Sequence, residues 1–192
     1  PVHLYGMPAK MEEIMAIAER YDIPVLEDAA EALGSTYKGQ KCGTFGTFAC
    51  LSFNGNKIIT TSGGGALVCS TPDQAQKTRF YATQARDQAP HYQHSELGYN
   101  YRMSNICAGI GRGQMTVLDA HVASRRAIHD FYRDHLSGYP GISLFENPSP
   151  EYASNHWLTC IQVDPDKAGF SCEDLRLAME EANIETRPLW KP

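Results

Sequence analysis

The chain has 192 residues, 42% apolar and 20% charged, with a net charge of −5. That balance belongs to a globular protein long enough to bury a core, with room for one domain or one and a fraction. The acidic charge gives no footprint for nucleic acid, no apolar run reaches the length of a membrane span, and Pro1-Val2-His3-Leu4-Tyr5 does not read as a signal peptide. Cys42, Cys50, Cys69, Cys107, Cys160 and Cys172 are scattered without C-x-x-C spacing. That argues against a zinc site or a disulfide scaffold; those inside apolar runs, as at Cys50 and Cys69, read as core hydrophobes, and a reducing, cytoplasmic setting is expected.

Taken in order, Val2 to Tyr5 reads as a short strand. Met11, Ile14, Met15, Ala18 and Tyr21 then recur at the spacing of one helix face over residues 9–21. Pro24-Val25-Leu26 reads as a strand covered on both faces. Strand, helix and strand together predict a right-handed crossover and a parallel pair. Glu27-Asp28 then falls at the carboxyl end of a strand, the edge where open α/β sheets bind ligands. Asp28 has two readings: a helix N-cap contributing about 1 kcal/mol, or a partner for a cationic ring nitrogen. Glu31, three residues on, either shares a helical face with Asp28 or completes a capping box.

A hairpin turning at Lys38-Gly39 comes next. The apolar run from Phe48 to Phe53 reads as a buried strand. It leads into the polar corner Asn54-Gly55-Asn56, then Lys57, and a second apolar run from Ala66 to Cys69. A desolvated lysine tends to lose its charge, and a neutral amine attacks carbonyls to form a Schiff base. An isolated lysine in such a place is more often a surface residue of a hairpin loop. Ser52 is either a phosphate ligand or a plain strand serine. Gly63-Gly64-Gly65 allows close backbone approach or positive φ, and it lacks the spacing of a nucleotide P-loop.

Thr71-Pro72 predicts a helix start, with threonine as cap and proline at the first position, running to about Gln84. Residues 86–97 form a polar loop in which His91 and His94 have no third companion, so no metal site is expected. Ser104-Asn105 caps another helix, in which Gly109, Gly111 and Gly113 permit close packing. Residues 121–136 continue as helix, and residues 137–141 break it. Strands are expected at residues 142–145 and 157–163, and a helix over 172–182 capped near Ser171.

Three separated motifs occur in one order: Glu27-Asp28-Ala29-Ala30-Glu31-Ala32-Leu33-Gly34, Ser52 to Lys57, and Gly98-Tyr99-Asn100-Tyr101-Arg102-Met103-Ser104. Together they resemble the sugar aminotransferases of the DegT/DnrJ/EryC1/StrS family, over essentially the whole chain. The resemblance implies an α/β protein of the pyridoxal-phosphate-dependent aminotransferase fold type I, like aspartate aminotransferase. Residues 1–120 would form part of the large cofactor-binding domain, and residues 121–192 the interdomain helix and the start of the small domain. It implies pyridoxal 5′-phosphate (PLP) as cofactor, with Lys57 as the Schiff-base lysine and Asp28 as the pyridinium partner, both catalytic. Glu31 would lie near the ring hydroxyl, where the family often has His or Gln, and Ser52 would bind the phosphate. Asn100 would reach the phosphate of the neighbouring subunit, which makes a homodimer with a shared active site. Tyr101 and Arg187 are candidates for substrate binding.

The implied reaction is transamination of a nucleotide-linked keto-sugar, with glutamate as donor, in surface-glycan or amino-sugar biosynthesis. Family dehydratases replace the lysine with histidine, so Lys57 favours the aminotransferase; a non-catalytic regulatory relative is the other alternative. Against the family pattern the chain reads as an internal piece of a longer enzyme. Alone it is expected to bind PLP poorly and not to turn over.

Overall fold

A computed structural model describes residues 1–191. After a parallel bridge from Val2 to Asp28, Leu4–Gly6 forms one 3₁₀ turn in which Tyr5 is left-handed at φ 54°. The expected first strand is thus a single bridge. Helix α1 (Met11–Arg20) carries Glu12 and Glu13 in its first turn and Arg20 in its last, the order that complements the helix dipole. Its Met11 and Ala18 join Val25 and Tyr37 in a buried cluster flanked by Ile14, Met15, Phe45 and Tyr152.

Strand β1 (Leu26–Asp28) follows, then the hairpin of β2 (Thr36–Tyr37) and β3 (Gln40–Lys41). Lys38 and Gly39 take φ 50° and 79°, the two left-handed residues that a tight hairpin turn requires. Strand β4 (Phe48–Ser52) is parallel to β1, pairing Asp28 with Cys50. Strand β5 (Gly65–Cys69) is antiparallel to β4, pairing Ser52 with Gly65. A Cβ at residue 65 would lie 2.3 Å from the Leu51 carbonyl oxygen, so only glycine lets the strands approach there.

The sheet order is β1-β4-β5. Its strands alternate: Glu27 and Ala49 are buried, whereas Leu26 (54% exposed), Asp28 and Cys50 face the other way and are open. β1 is therefore covered on one face among the described residues, not on both as its apolar run predicts. No helix follows Asp28 either. Its Oδ1 accepts the Ala30 N–H at 3.1 Å, and Ala32 N–H donates to Ala29 O at 3.1 Å, so residues 28–32 turn and Asp28 and Glu31 do not share a helical face.

Helix α2 (Pro72–Ala82) opens with a reciprocal capping box between Thr71 and Gln74. In α3 (Asn105–Met115) Ser104 caps by accepting the Cys107 N–H. Helix α4 (Leu118–Leu136) starts three residues before the expected His121. The chain divides into two compact units: Pro1–Arg126 with Asn147–Trp157, and Ala127–Glu146 with the chain from Leu158 onward. The second unit has β6 (Ile142–Leu144). Strand β7 (Tyr152–Ala153) lies in the first unit, where it pairs with β2. Residues 147–157, read from sequence as part of a second domain, thus group with the first unit, and Trp157 precedes the next strand instead of opening it. The second unit continues with β8 (Ile161–Val163), antiparallel to β6, then α5 (Pro165–Ala168) and α6 (Cys172–Glu181), capped by a Ser171–Asp174 box.

One buried carboxylate holds the first unit's loops. Glu27 Oε2 accepts from His3 Nε2 at 2.9 Å and from Gly43 N–H at 2.8 Å, and Oε1 accepts from the N–H groups of Phe45 and Gly46, each at 2.7 Å. His3 Nδ1 accepts the Ala9 N–H at 3.0 Å, so the ring's proton sits on Nε2. Burial pushes the Glu27 carboxyl up, but the bonds from His3, Gly46, Gly43 and Phe45 outweigh it and hold it below its ordinary value. Nearby, burial and the Glu27 charge push the Cys42 thiol up to about 12. Glu27→Leu leaves four buried donors without an acceptor and is expected to cost about 3–5 kcal/mol in denaturant unfolding at pH 7. Because the folded carboxyl lies low, its contribution is full above the ordinary value of 4.5 and is lost as pH falls through the folded value. The gap between Glu27→Leu and the unaltered protein should therefore narrow as acid is added.

Candidate functional site

The corner after β4 is tied down on every side. Phe53 N–H donates to Gly64 O at 3.0 Å and Thr61 N–H donates to Phe53 O at 2.9 Å, which closes the loop across its neck. Ile58 and Ile59 are buried beneath it. His121 Nδ1 of α4 donates to the Ile58 carbonyl at 3.0 Å, and Gln114 Oε1 of α3 accepts the Thr60 N–H at 3.3 Å. At the tip, Lys57 N–H closes a turn onto Asn54 O at 3.1 Å. The lysine is thus carried on a fixed loop, not on a loose surface hairpin.

Its side chain folds inward and is only 13% exposed. The ammonium lies 3.4 Å from Glu31 Oε1 and 4.1 Å from the centroid of the Trp157 ring. The second oxygen of Glu31 accepts the Tyr5 N–H at 2.7 Å. Trp157 donates its indole N–H to Asn56 O at 2.6 Å and stacks on Tyr5, centroids 6.2 Å apart.

The tryptophan arrives on a strap, residues 153–157. Arg126 holds the strap's start through Ser154 O at 2.8 Å. Asn155, fully buried, donates its side-chain amide to Glu31 O at 2.8 Å and Leu33 O at 2.9 Å, and accepts the Trp157 N–H at 2.9 Å. Its own backbone N–H donates to Ser35 Oγ at 2.8 Å, and Ser35 Oγ donates to Gly6 O at 2.6 Å.

Of the residues singled out in the sequence, Lys57 and Glu31 meet directly. Asp28 is exposed at the carboxyl end of β1, three residues before Glu31. Ser52 is half-buried at the end of β4; alternation from the Asp28–Cys50 pair puts Ser52 on the face that carries Asp28. Asn100 is exposed and bridges to Thr83 in the backbone, and Tyr101 is exposed and stacks on Tyr99. Arg187 lies in the second unit, exposed and paired with Glu185. A primary amine, a carboxylate at the open edge of a sheet and a hydroxyl on the same sheet face are the donor set that an aldehyde-bearing pyridinium phosphate requires.

The DegT/DnrJ/EryC1/StrS aminotransferase family matches residues 1–192. The chain belongs to that family. It is similar to the putative pyridoxal phosphate-dependent aminotransferase EpsN of Bacillus subtilis (strain 168), 52% identical over 194 residues, which cover 100% of this chain and 48% of EpsN. It is 38% identical to GDP-perosamine synthase of Escherichia coli O157:H7, covering 100% of this chain and 51% of that protein. Among solved structures, aminotransferase TlmJ from Streptoalloteichus hindustanus superposes with a TM-score of 0.91 at 24% identity, covering 100% of this chain and 51% of TlmJ. The chain spans about half the length of the curated relatives it matches. The aminotransferase fold expected from the three motifs is the one observed.

Sequence reading missed Trp157, Asn155 and Tyr5. They lie 101, 124 and 26 residues from the groups they hold, and no spacing rule links such positions. Asn155→Ala should cost about 2–4 kcal/mol, because two carbonyls and an N–H lose their buried partner; thermal unfolding followed by circular dichroism measures it. An unchanged midpoint would mean that water replaces the amide.

Proposed function

We propose that the full natural protein transfers an amino group from glutamate to the keto carbon of a nucleotide-linked sugar, with pyridoxal phosphate as cofactor. The pathway would be surface-glycan or amino-sugar biosynthesis in the cytoplasm. The observation that carries this reading is the inward-folded Lys57 amine beside Glu31 on a loop fixed from both helices. The names of the relatives support it: one is a pyridoxal phosphate-dependent aminotransferase and one makes GDP-perosamine. No helix among the described residues is long and apolar enough to cross a membrane.

Each residue has a role in this reading. Lys57 holds the cofactor through its amine and, once free, carries a proton to or from the reacting carbon. Asp28 faces the ring nitrogen and keeps it protonated. Glu31 lies on the ring-hydroxyl side, and Ser52 binds the phosphate. Asn100 reaches the phosphate in the partner subunit of a homodimer, while Tyr101 and Arg187 face the nucleotide-sugar. Bound pyridoxal phosphate supplies an electron sink for the carbanion formed at the donor or sugar carbon. Residues 1–120 act as part of the large domain, and residues 121–192 as the interdomain helix and the start of the small one, apart from the segments to Arg126 and from Asn147 to Trp157 that group with the first unit. The 192 residues alone are not expected to turn over.

The test uses the full natural chain and a small panel of nucleotide-linked keto-sugars, with glutamate and mass spectrometry of the products. An amino-sugar should form with the unaltered chain and fall at least about 10³-fold with Lys57→Ala. Asp28→Asn should lower kcat by about 10²-fold or more, with a smaller change in KM. Amino-sugar formation that survives Lys57→Ala would sink the assignment of the lysine.

A further inference from the structure

Nothing in the reading above gives Trp157 a task. Its surroundings are nonetheless densely bonded. The ring is 2% exposed, its face lies 4.1 Å from the Lys57 ammonium, and its N–H is bonded to the carbonyl of the residue just before that lysine. Two non-glycine residues in left-handed backbone flank the arrangement: Tyr5 at φ 54° and His156 at φ 47°. Backbone of this kind persists where surrounding contacts over-determine it. At Tyr5 it comes with an N–H aimed at Glu31, and at His156 it comes directly before the tryptophan.

The strap runs past β7 to reach this corner. It could end with β7, which already completes the pairing with β2. Instead Asn155 binds it to the turn that carries Glu31, so the acid and the aromatic that meet Lys57 move as one body. A cation seated on an aromatic face is held without a directional bond, whereas the indole N–H fixes the backbone beneath it. The two contacts together set where the amine points and leave it free to leave its seat.

We infer that Trp157 is a positioning residue for Lys57: it seats the amine on its ring face and locks the Asn56–Lys57 backbone, so that the amine is presented to an incoming carbonyl compound. This rests on the reading of Lys57 as the carbonyl-binding lysine.

The experiment exposes the cofactor-free full natural chain to limiting pyridoxal phosphate with borohydride and quantifies the labelled lysines by peptide mass spectrometry. Exposed Lys10 and Lys41 serve as internal references. Trp157→Leu, which loses both ring and N–H, should slow labelling of Lys57 by about tenfold and leave Lys10 and Lys41 unchanged. Trp157→Phe, which keeps an aromatic face, should recover part of that loss, to within about threefold of the unaltered chain. Circular dichroism checks that each variant is folded. If Trp157→Leu fails to fold, Trp157→Phe against Trp157→His carries the comparison, with the weaker ring expected to label more slowly. Labelling of Lys57 at an unchanged rate in the folded variants would overturn the role of Trp157 and leave the lysine's own role intact. Labelling that avoids Lys57 in the unaltered chain would overturn both.

Discussion

A mostly buried ammonium has to be compensated, and much of the first unit follows from how Lys57 meets that demand. Desolvating a charge without a partner costs several kcal/mol. Glu31, with a side chain only 5% exposed, answers with one oxygen on the ammonium and the other on the Tyr5 N–H. A carboxylate so enclosed needs its own backbone held still, and Asn155 does that by binding the Glu31 carbonyl. The aromatic face of Trp157 covers the ammonium, 4.1 Å from the ring centroid. Three segments far apart in the chain, residues 4–6, 31–35 and 153–157, are bonded to one another around this charge.

The adjacent acids Glu27 and Asp28 show how strand alternation divides labour. Successive residues point to opposite faces. Glu27 faces in, where His3 and three backbone N–H groups of residues 43–46 saturate it. Asp28 faces out at the strand's end, where its carboxylate accepts the Ala30 N–H. The inner acid fixes the strand against its loop, and the outer acid stays exposed at the sheet's edge. Exchanging the order of the two would bury the free acid and expose the saturated one.

Local signals in the sequence located most elements. Thr71-Pro72 and Ser171-Cys172 carry cap chemistry within four residues, and both helices begin there. Lys38-Gly39 carries turn chemistry within two. The misses come from tertiary context. Pro24-Val25-Leu26 is apolar enough for a strand covered twice, yet Leu26 stays open. Ala29-Ala30 favours helix, yet the Ala32 N–H turns back onto Ala29 O and Asn155 takes the Glu31 and Leu33 carbonyls a helix would use. Tyr152-Ala153 is too short a run to signal a strand, and it pairs only because β2 offers an edge. At the site, Lys57 and Glu31 were legible through motifs, whereas Trp157 was legible only as an aromatic at the head of an apolar run.

Strain and cohesion meet at the same place. A left-handed conformation at a residue with a Cβ costs on the order of 1–3 kcal/mol, and Tyr5 and His156 each take one within the same cluster. Neither has glycine's freedom, so each conformation is set by its neighbours. For Tyr5 these are the Glu31 carboxylate bonded to its N–H and the Trp157 ring stacked on its side chain. For His156 they are Ser154 Oγ, which accepts its N–H at 2.9 Å, and the Asn155 and Trp157 bonds on either side. Relaxing either residue would turn a bond away from Glu31 or a ring away from Lys57. The backbone cost therefore falls on the residues that aim the partners of the amine, and the rigidity of the lysine's seat is a property of this cluster rather than of the loop that carries it.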